Sequence, residues 1–252
     1  MNCWSEKIAV VTGASQGIGL AISKELARYK IKVIGLARGM VKLMEVAATI
    51  GQYFVPLECD IMEEDEILST FKLIEENFGG VDILVNNAAT CSLAHIMESE
   101  EDEIEDIVKT NLIAPAILAR KALNSMRKRG TRGHIINISG TPGLYFEAEN
   151  IPMGMYGPTK YGLRVLGTVL RHEIAISKLN VKVTTINPGL VRSTMFTELY
   201  NFLKIPLNDI LKDTDIAETV ICVLATPDTV EISEITVLPQ GMGSSVVTLP
   251  AD

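Results

Sequence analysis

At 252 residues, 47% hydrophobic and 21% charged, the chain has enough apolar material to bury a sizeable core in one α/β unit, which excludes a mainly disordered protein. Its formal charge of −8 argues against a nucleic-acid partner, because phosphate backbones are bound by clustered Lys and Arg. Cys3, Cys59, Cys91 and Cys222 are scattered without metal-ligand spacing and read as reduced thiols, no metal site is expected, and with neither a basic-then-apolar leader nor a run of about 18 apolar residues, no membrane span is expected and the expected location is cytoplasmic.

The first apolar run, Lys7-Ile8-Ala9-Val10-Val11, is short and β-branched and predicts a strand, and a helix is expected from about Gly17 to Tyr29. Between them lies Thr12-Gly13-Ala14-Ser15-Gln16-Gly17-Ile18-Gly19. A strand that passes through such glycines directly into a helix suits a dinucleotide. Gly13 permits the tight turn, Gly17 lets backbone N–H groups approach a pyrophosphate, and Gly19 lets helix and strand pack closely. The flanking elements lift this above a set of ordinary turn glycines and make Gly13, Ser15, Gln16, Gly17, Ile18 and Gly19 candidate cofactor contacts. The second strand, Lys32 to Leu36, leads into Ala37-Arg38, where an NAD-binding protein would usually place a carboxylate for the ribose 2′-OH. A guanidinium suits a 2′-phosphate instead, so NADP(H) is the expected cofactor.

Further strands are expected at Tyr53 to Leu57, Ile83 to Asn86, His134 to Ile138, Lys182 to Ile186 and Ile235 to Leu238, all near-continuous apolar runs of the kind covered on both faces. The acidic stretches Glu63 to Glu66 and Glu98 to Asp106 read as solvated helix starts. Ser99-Glu100-Glu101-Asp102 predicts a capping box on a long helix that Arg127-Lys128-Arg129-Gly130 closes with basic residues and a glycine. The alternation predicts an α/β fold: a single Rossmann-type, doubly wound parallel sheet of about seven strands with helices on both faces, one domain over residues 1–252.

The least regular stretches, Gly140 to Met155 and Leu190 to Leu211, each follow a strand, and open parallel sheets bind ligands beyond the carboxyl ends of their strands. These are the expected substrate walls. Leu144, Tyr145, Phe146, Met153 and Met155 on one side, with Met195, Phe196, Leu199, Tyr200, Phe202 and Leu203 on the other, predict an apolar small-molecule substrate.

Tyr156-Gly157-Pro158-Thr159-Lys160 sets a phenol and an ammonium four residues apart, on one face of a helix. A free phenol, with a pKa near 10, is a poor base at neutral pH, and a neighbouring cation favours its ionised form. Tyr156 could then accept a proton during oxidation or donate one during reduction.

With these motifs stand Asp60 after the third strand, Asn86-Asn87-Ala88-Ala89 after the fourth, Asn111 in the long helix and Pro188-Gly189 after the sixth. In that order and at those separations the chain resembles the short-chain dehydrogenase/reductase family over nearly its whole length. The resemblance implies an oxidoreductase in which Asp60 and Ile61 contact adenine, Asn87 and Ala89 lie along the cofactor, and Lys160 holds the nicotinamide ribose. It implies that Asn111 anchors a water linking Lys160 to solvent, and that Pro188, Gly189, Val191 and Ser193 hold the carboxamide end. The start Trp4-Ser5-Glu6-Lys7, the Gly35-Leu36-Ala37-Arg38 turn and the ending around Ile235 resemble one branch, that of dehydrogenase/reductase member 11-like proteins and insect farnesol dehydrogenases. That branch implies NADP-dependent chemistry on apolar alcohols and ketones such as isoprenoids or steroids. A homodimer or homotetramer through the helices around Asn111 and Tyr161 to Lys178 is also implied.

The pattern breaks at the end of the fifth strand, where the family carries a serine that donates to the substrate oxygen and this chain carries Gly140. Ser139 precedes the slot and is retained as a candidate catalytic group, and Thr141 follows it. Neighbouring strand residues face opposite sides, so either would need a local distortion. Ala89 replaces the usual glycine of N-N-A-G, Ser193 replaces a threonine while keeping the hydroxyl, and Pro158 suits a first helical turn. Two readings follow: an active enzyme, favoured because Tyr156, Lys160 and Asn111 persist, and a cofactor-binding relative that has lost turnover. A sugar-nucleotide epimerase or dehydratase would carry a larger substrate-binding section.

Overall fold

The computed structural model describes residues 1–144, 153–193, 195 and 210–240. Among them, seven parallel strands form one sheet in the order β3-β2-β1-β4-β5-β6-β7. The strands are β1 (Ile8–Thr12), β2 (Lys32–Ala37), β3 (Phe54–Glu58), β4 (Ile83–Asn86), β5 (Gly133–Ile138), β6 (Val181–Pro188) and β7 (Glu234–Val237). Order reverses between β1 and β4, which opens a crevice at their carboxyl ends.

Alternation along the strands divides the interior into two cores. Val11, Val33, Ile83, Ile136 and Ile186 meet Ile22 and Leu26 of α1 (Gly17–Arg28), Leu43 of α2 (Met40–Ile50) and Ile216 and Val220 of α7 (Asp213–Leu224). On the other face Val10, Ile34, Leu84, Ile135 and Val183 meet Ile67 and Phe71 of α3 (Glu64–Phe78), Leu118 and Ala122 of α5 (Ala114–Arg129) and Leu170 of α6 (Tyr156–Ile176). The doubly wound arrangement expected from the near-continuous apolar runs is therefore present.

The long helix is built from α4 (Glu101–Val108), a π-helical segment at Lys109–Ile113 and α5. It closes as expected, with Arg127, Lys128 and Arg129 in the last turn and Gly130 left-handed at φ 61°. Its start differs from the expected capping box. The N-cap is Glu100 with no side-chain cap, and the Ser99 hydroxyl donates to His95 O at 3.1 Å. Glu101, Asp102 and Glu103 occupy the first turn, where their charge complements the helix dipole. Strand β6 runs two residues past the expected end, because Asn187 and Pro188 still pair with Thr236 and Val237 of β7. At the opposite end of β5 and β6, His134 and its partner Lys182 are buried, and burial drives the His134 pKa down to about 3, so that ring is neutral.

Candidate active site

The turn after β1 is held from below by Thr12. Its buried hydroxyl accepts from Asn87 N at 3.0 Å and Ala88 N at 2.9 Å, while Asn87 Nδ2 donates to Thr12 O at 2.8 Å. This stitches the glycine loop to the segment after β4. Gly19 is forced by that contact, since a Cβ there would lie 2.3 Å from Gly13 O and 2.5 Å from Asn87 Nδ2. Gly17 is forced by conformation alone, because its φ is +55° and a Cβ there would meet nothing within 4 Å. No side chain caps the start of α1, which leaves its first N–H groups without a side-chain partner there. Ser15 and Ile18 are half-buried, and Gln16 is exposed at the lip.

Arg38 is exposed just beyond β2 and makes no hydrogen bond or ion pair among the described residues. Asp60 is half-buried after β3, where its Oδ1 accepts from Met62 N at 3.0 Å, and the adjoining Ile61 is buried. Both stand on the β2–β3 side of the switch point.

Helix α6 begins at Tyr156, and both Tyr156 and Lys160 are buried. The Lys160 ammonium donates to Ile138 O at 3.0 Å and lies 5.3 Å from the Tyr156 ring centroid. Burial pulls its pKa down to about 8, only partly opposed by the Cys91 thiol. Cys91 is itself pushed up to about 11 by burial, against the pull of Lys160, and is therefore a neutral thiol.

Asn111 sits in the π-helical segment and is 1% exposed. Both amide hydrogens are engaged. Nδ2 donates to Thr90 O at 2.8 Å and to Thr159 Oγ1 at 3.1 Å, and Oδ1 accepts from Thr90 N at 2.9 Å. Thr159 in turn donates to Tyr156 O at 2.8 Å. Asn111 therefore pins Thr90 to the first turn of α6. Such π-helical interruptions often mark functional sites.

Ser139 does not face the substrate side. Its hydroxyl donates to Lys160 O at 3.0 Å and is buried beneath Gly143, where a Cβ would come within 2.7 Å of it. The expectation that Ser139 could supply the missing donor is corrected, because strand alternation continues through the end of β5 and turns it towards α6. Gly140 holds the position facing Tyr156, with a Cβ site 4.0 Å from the phenolic oxygen and 3.8 Å from Pro188 O. Pro188 ends β6, Gly189 N donates to Val237 O at 2.8 Å, and Val191 forms a parallel bridge with Leu211. Ser193 is half-buried beyond that bridge.

A cleft of about 540 Å³ runs between these parts, lined by Gln16, Lys42, Ala89, Thr90, Cys91 and Met195. Of the expected walls, Leu144 and Met155 are half-buried, Met153 is buried and Met195 is partly exposed. Tyr145, Phe146, Phe196, Leu199, Tyr200, Phe202 and Leu203 lie outside the described residues. Thr12, Thr90 and Thr159, which tie the loops together, were missed by sequence reasoning. Thr12 alone carried a signal, as a hydroxyl residue directly before the glycine loop. Among the described residues no group of three or more His, Cys, Asp or Glu could hold a metal, and no helix is long and apolar enough to cross a membrane.

Residues 7–203 match the family model of the short chain dehydrogenases. Farnesol dehydrogenase of Aedes aegypti is 34% identical over 249 residues, spanning 96% of this chain and 99% of that one. Dehydrogenase/reductase SDR family member 11 of Mus musculus is 32% identical over 256 residues, spanning 95% and 96%. Among solved structures, the Thermococcus sibiricus alcohol dehydrogenase complexed with 5-hydroxy-NADP superposes with a TM-score of 0.80 at 26% identity, covering 94% of this chain and 98% of that one. A metagenomic short-chain oxidoreductase in complex with NADP gives 0.77 at 29%, covering 93% and 97%. With the reversed sheet order, the glycine turn and the Tyr156–Lys160 pair, these matches establish that the chain is an oxidoreductase belonging to the short-chain dehydrogenase family.

Proposed function

We propose that the protein is an NADP(H)-dependent alcohol dehydrogenase or carbonyl reductase acting on apolar substrates of isoprenoid or steroid type. The observation that carries this reading is the buried Lys160 ammonium 5.3 Å from the Tyr156 ring centroid, electrostatically coupled to Cys91 in the lining of a cleft that also includes Gln16 of the glycine loop. The residues fit a bound dinucleotide. Gly19 leaves no room for a side chain where loop and helix touch, Gly17 opens onto free space, and Arg38 carries a charge without a partner among the described residues. Gly13, Ser15, Gln16, Gly17, Ile18 and Gly19 would hold the pyrophosphate side, Asp60, Ile61, Asn87 and Ala89 the adenosine, and Pro188, Gly189, Val191 and Ser193 the nicotinamide end. Arg38 would meet the 2′-phosphate, and NADP complexes among the similar structures support that choice. Bound NADP(H) would supply the hydride acceptor or donor.

The remaining chemistry belongs to the chain. Tyr156 passes a proton between its hydroxyl and the substrate oxygen. Lys160, with a pKa of about 8, is charged in neutral solution and favours the phenolate, while Ile138 O fixes where that charge stands. Asn111 and Thr159 hold the turn that carries both groups. The similarity to farnesol dehydrogenase and the methionines Met153, Met155 and Met195 support an elongated apolar substrate.

One observation favours a second reading, a cofactor-binding relative without turnover: Gly140 offers no donor at the place facing Tyr156. The test combines fluorescence titration of NADPH and NADH with turnover assays on prenyl alcohols, steroids and small sugars. NADPH is expected to bind roughly 10- to 100-fold more tightly than NADH, and Arg38→Ala to remove most of that difference. Tyr156→Phe should abolish turnover while binding NADPH normally. Equal affinities for the two cofactors, or kcat/KM for sugars equal to that for prenyl alcohols, would overturn the corresponding part of the proposal. Tight NADPH binding with no turnover on any substrate would favour the second reading.

A further inference from the structure

Helix α6 and the turn after β6 come from different parts of the chain, yet a single carboxylate oxygen holds both. Glu234 is the first residue of β7 and lies opposite Thr185 of β6. Its Oε1 accepts from Arg164 Nε at 2.7 Å and from Asn187 Nδ2 at 2.9 Å. Arg164 stands one helical turn beyond Lys160, and Asn187 immediately precedes Pro188-Gly189. Asn187 is fully buried, and its Oδ1 has no hydrogen-bond partner among the described residues, so its amide is oriented through Nδ2 by the bond to Glu234. We infer that Glu234 is a positioning residue that fixes the catalytic helix relative to the loop proposed to hold the nicotinamide. This rests on the cofactor-dependent reading above and assigns to β7 a role that its place at the sheet edge does not suggest.

The physical argument is one of shared restraint. Other contacts also bind α6 to the sheet, through Ser139 to Lys160 O and through Arg171 to Val183 O and Ser233 O, so the helix does not depend on Glu234 for its existence. What Glu234 adds is a link between the helix and the side chain that leads into the turn. Glu234 is one-quarter exposed and Arg164 two-fifths, so the ion pair contributes little to stability by itself, and geometry is its main product. Transfer between groups on separate elements is sensitive to such geometry, since a displacement of about 1 Å can cost on the order of 10² in rate.

The experiment compares wild type, Glu234→Ala and Glu234→Gln as full-length proteins. Three readouts are thermal midpoint, affinity for NADPH against affinity for adenosine 2′,5′-bisphosphate, and kcat with the best alcohol. Glu234→Ala is expected to lower kcat by about 10- to 100-fold and NADPH affinity several-fold, while affinity for the bisphosphate, which lacks the nicotinamide half, stays within about twofold. Glu234→Gln retains an acceptor oxygen and should recover most of the loss. If Glu234→Ala lowers the melting temperature but leaves kcat and NADPH affinity unchanged, or weakens both ligands equally, the role is structural and the inference fails. If wild type does not turn over, the proposed enzyme activity fails, and the difference between NADPH and the bisphosphate still decides the role of Glu234.

Discussion

At Gly140 a Cβ would stand 4.0 Å from the Tyr156 hydroxyl, so a serine there reaches towards the group that handles the proton. The backbone at Gly140, with φ +159° and ψ 162°, lies in a region that favours glycine, so a serine there carries about 1–3 kcal/mol of strain, although no atom stands closer than 3.4 Å to its Cβ. Gly140→Ser is therefore expected to raise kcat at least tenfold, towards the 10²- to 10³-fold that one well-placed oxyanion donor supplies, with NADPH affinity unchanged. A gain well below tenfold would mean that another group already polarises the substrate, and Thr141→Ala then tests the remaining neighbouring hydroxyl. Ser139→Ala serves as the contrast: it removes a buried bond to α6, should cost about 1–3 kcal/mol of stability and should change kcat only a few-fold. Lys160 yields a prediction in pH. Its folded pKa of about 8 lies below the ordinary 10.5, so the unfolded chain holds the proton more tightly between these values. The contribution to stability is complete above the unfolded value and is lost as pH falls through the folded one. Carbonyl reduction should run the other way, falling as pH rises through about 8 because the ammonium beside Tyr156 is lost. A pH profile of kcat/KM that stays flat between pH 7 and 10 would remove Lys160 from this role.

The first turn of α1 shows how an element is specified by what it excludes. Gly19→Ala forces a Cβ to within 2.3 Å of a backbone oxygen that cannot swing aside, whereas Gly17→Ala meets no atom and suffers only its left-handed φ. The expected results are loss of NADPH binding, with marked destabilisation, for Gly19→Ala, and a cost of about 1–2 kcal/mol for Gly17→Ala. Equal effects in denaturant melts would refute the distinction. The glycine turn and the nearness of Tyr156 to Lys160 were legible in the sequence, because they depend on neighbours a few residues away and on one strand-to-helix junction. The π-helical segment at Asn111 was not, since nothing in Lys109-Thr110-Asn111-Leu112-Ile113 breaks the helical pattern. Its interruption accompanies bonds to Thr90 and Thr159, which are distant in sequence. The start of α4 is ambiguous from sequence because serine followed by acids fits both a capping box and a charge-stabilised helix start, and the protein adopts the second. Strand alternation could have excluded Ser139, but only if the alternation is assumed to hold one residue past the end of β5. The Glu234 link escaped for a similar reason: it requires the β6–β7 register, which no local pattern encodes.

On the scale of the molecule, α6 buries Tyr156, Lys160, Leu163, Gly167 and Leu170 against the sheet and presents Tyr161, Val165, Val169 and Ile176 outwards. The outward positions recur at helical spacing and form an apolar stripe, with Ile113 of the long helix also exposed. A chain with a formal charge of −8 repels its own copies at long range, so association has to come from such a patch rather than from general attraction. We propose that the homodimer or homotetramer implied by the family resemblance, paired through α6 and the long helix, would use this stripe. Val165→Glu combined with Val169→Glu places carboxylates where a second copy would bury them without partners, and should convert the assembly to monomers in sedimentation or light scattering. The far end of the stripe reaches the site, because the Tyr161 hydroxyl donates to Leu144 O at 2.6 Å, in the segment expected to wall the substrate. Dissociation should therefore raise KM for the apolar substrate more than it lowers NADPH affinity. An unchanged oligomer in the double variant would move the interface elsewhere, and a monomeric wild type with full activity would show that the stripe serves no assembly.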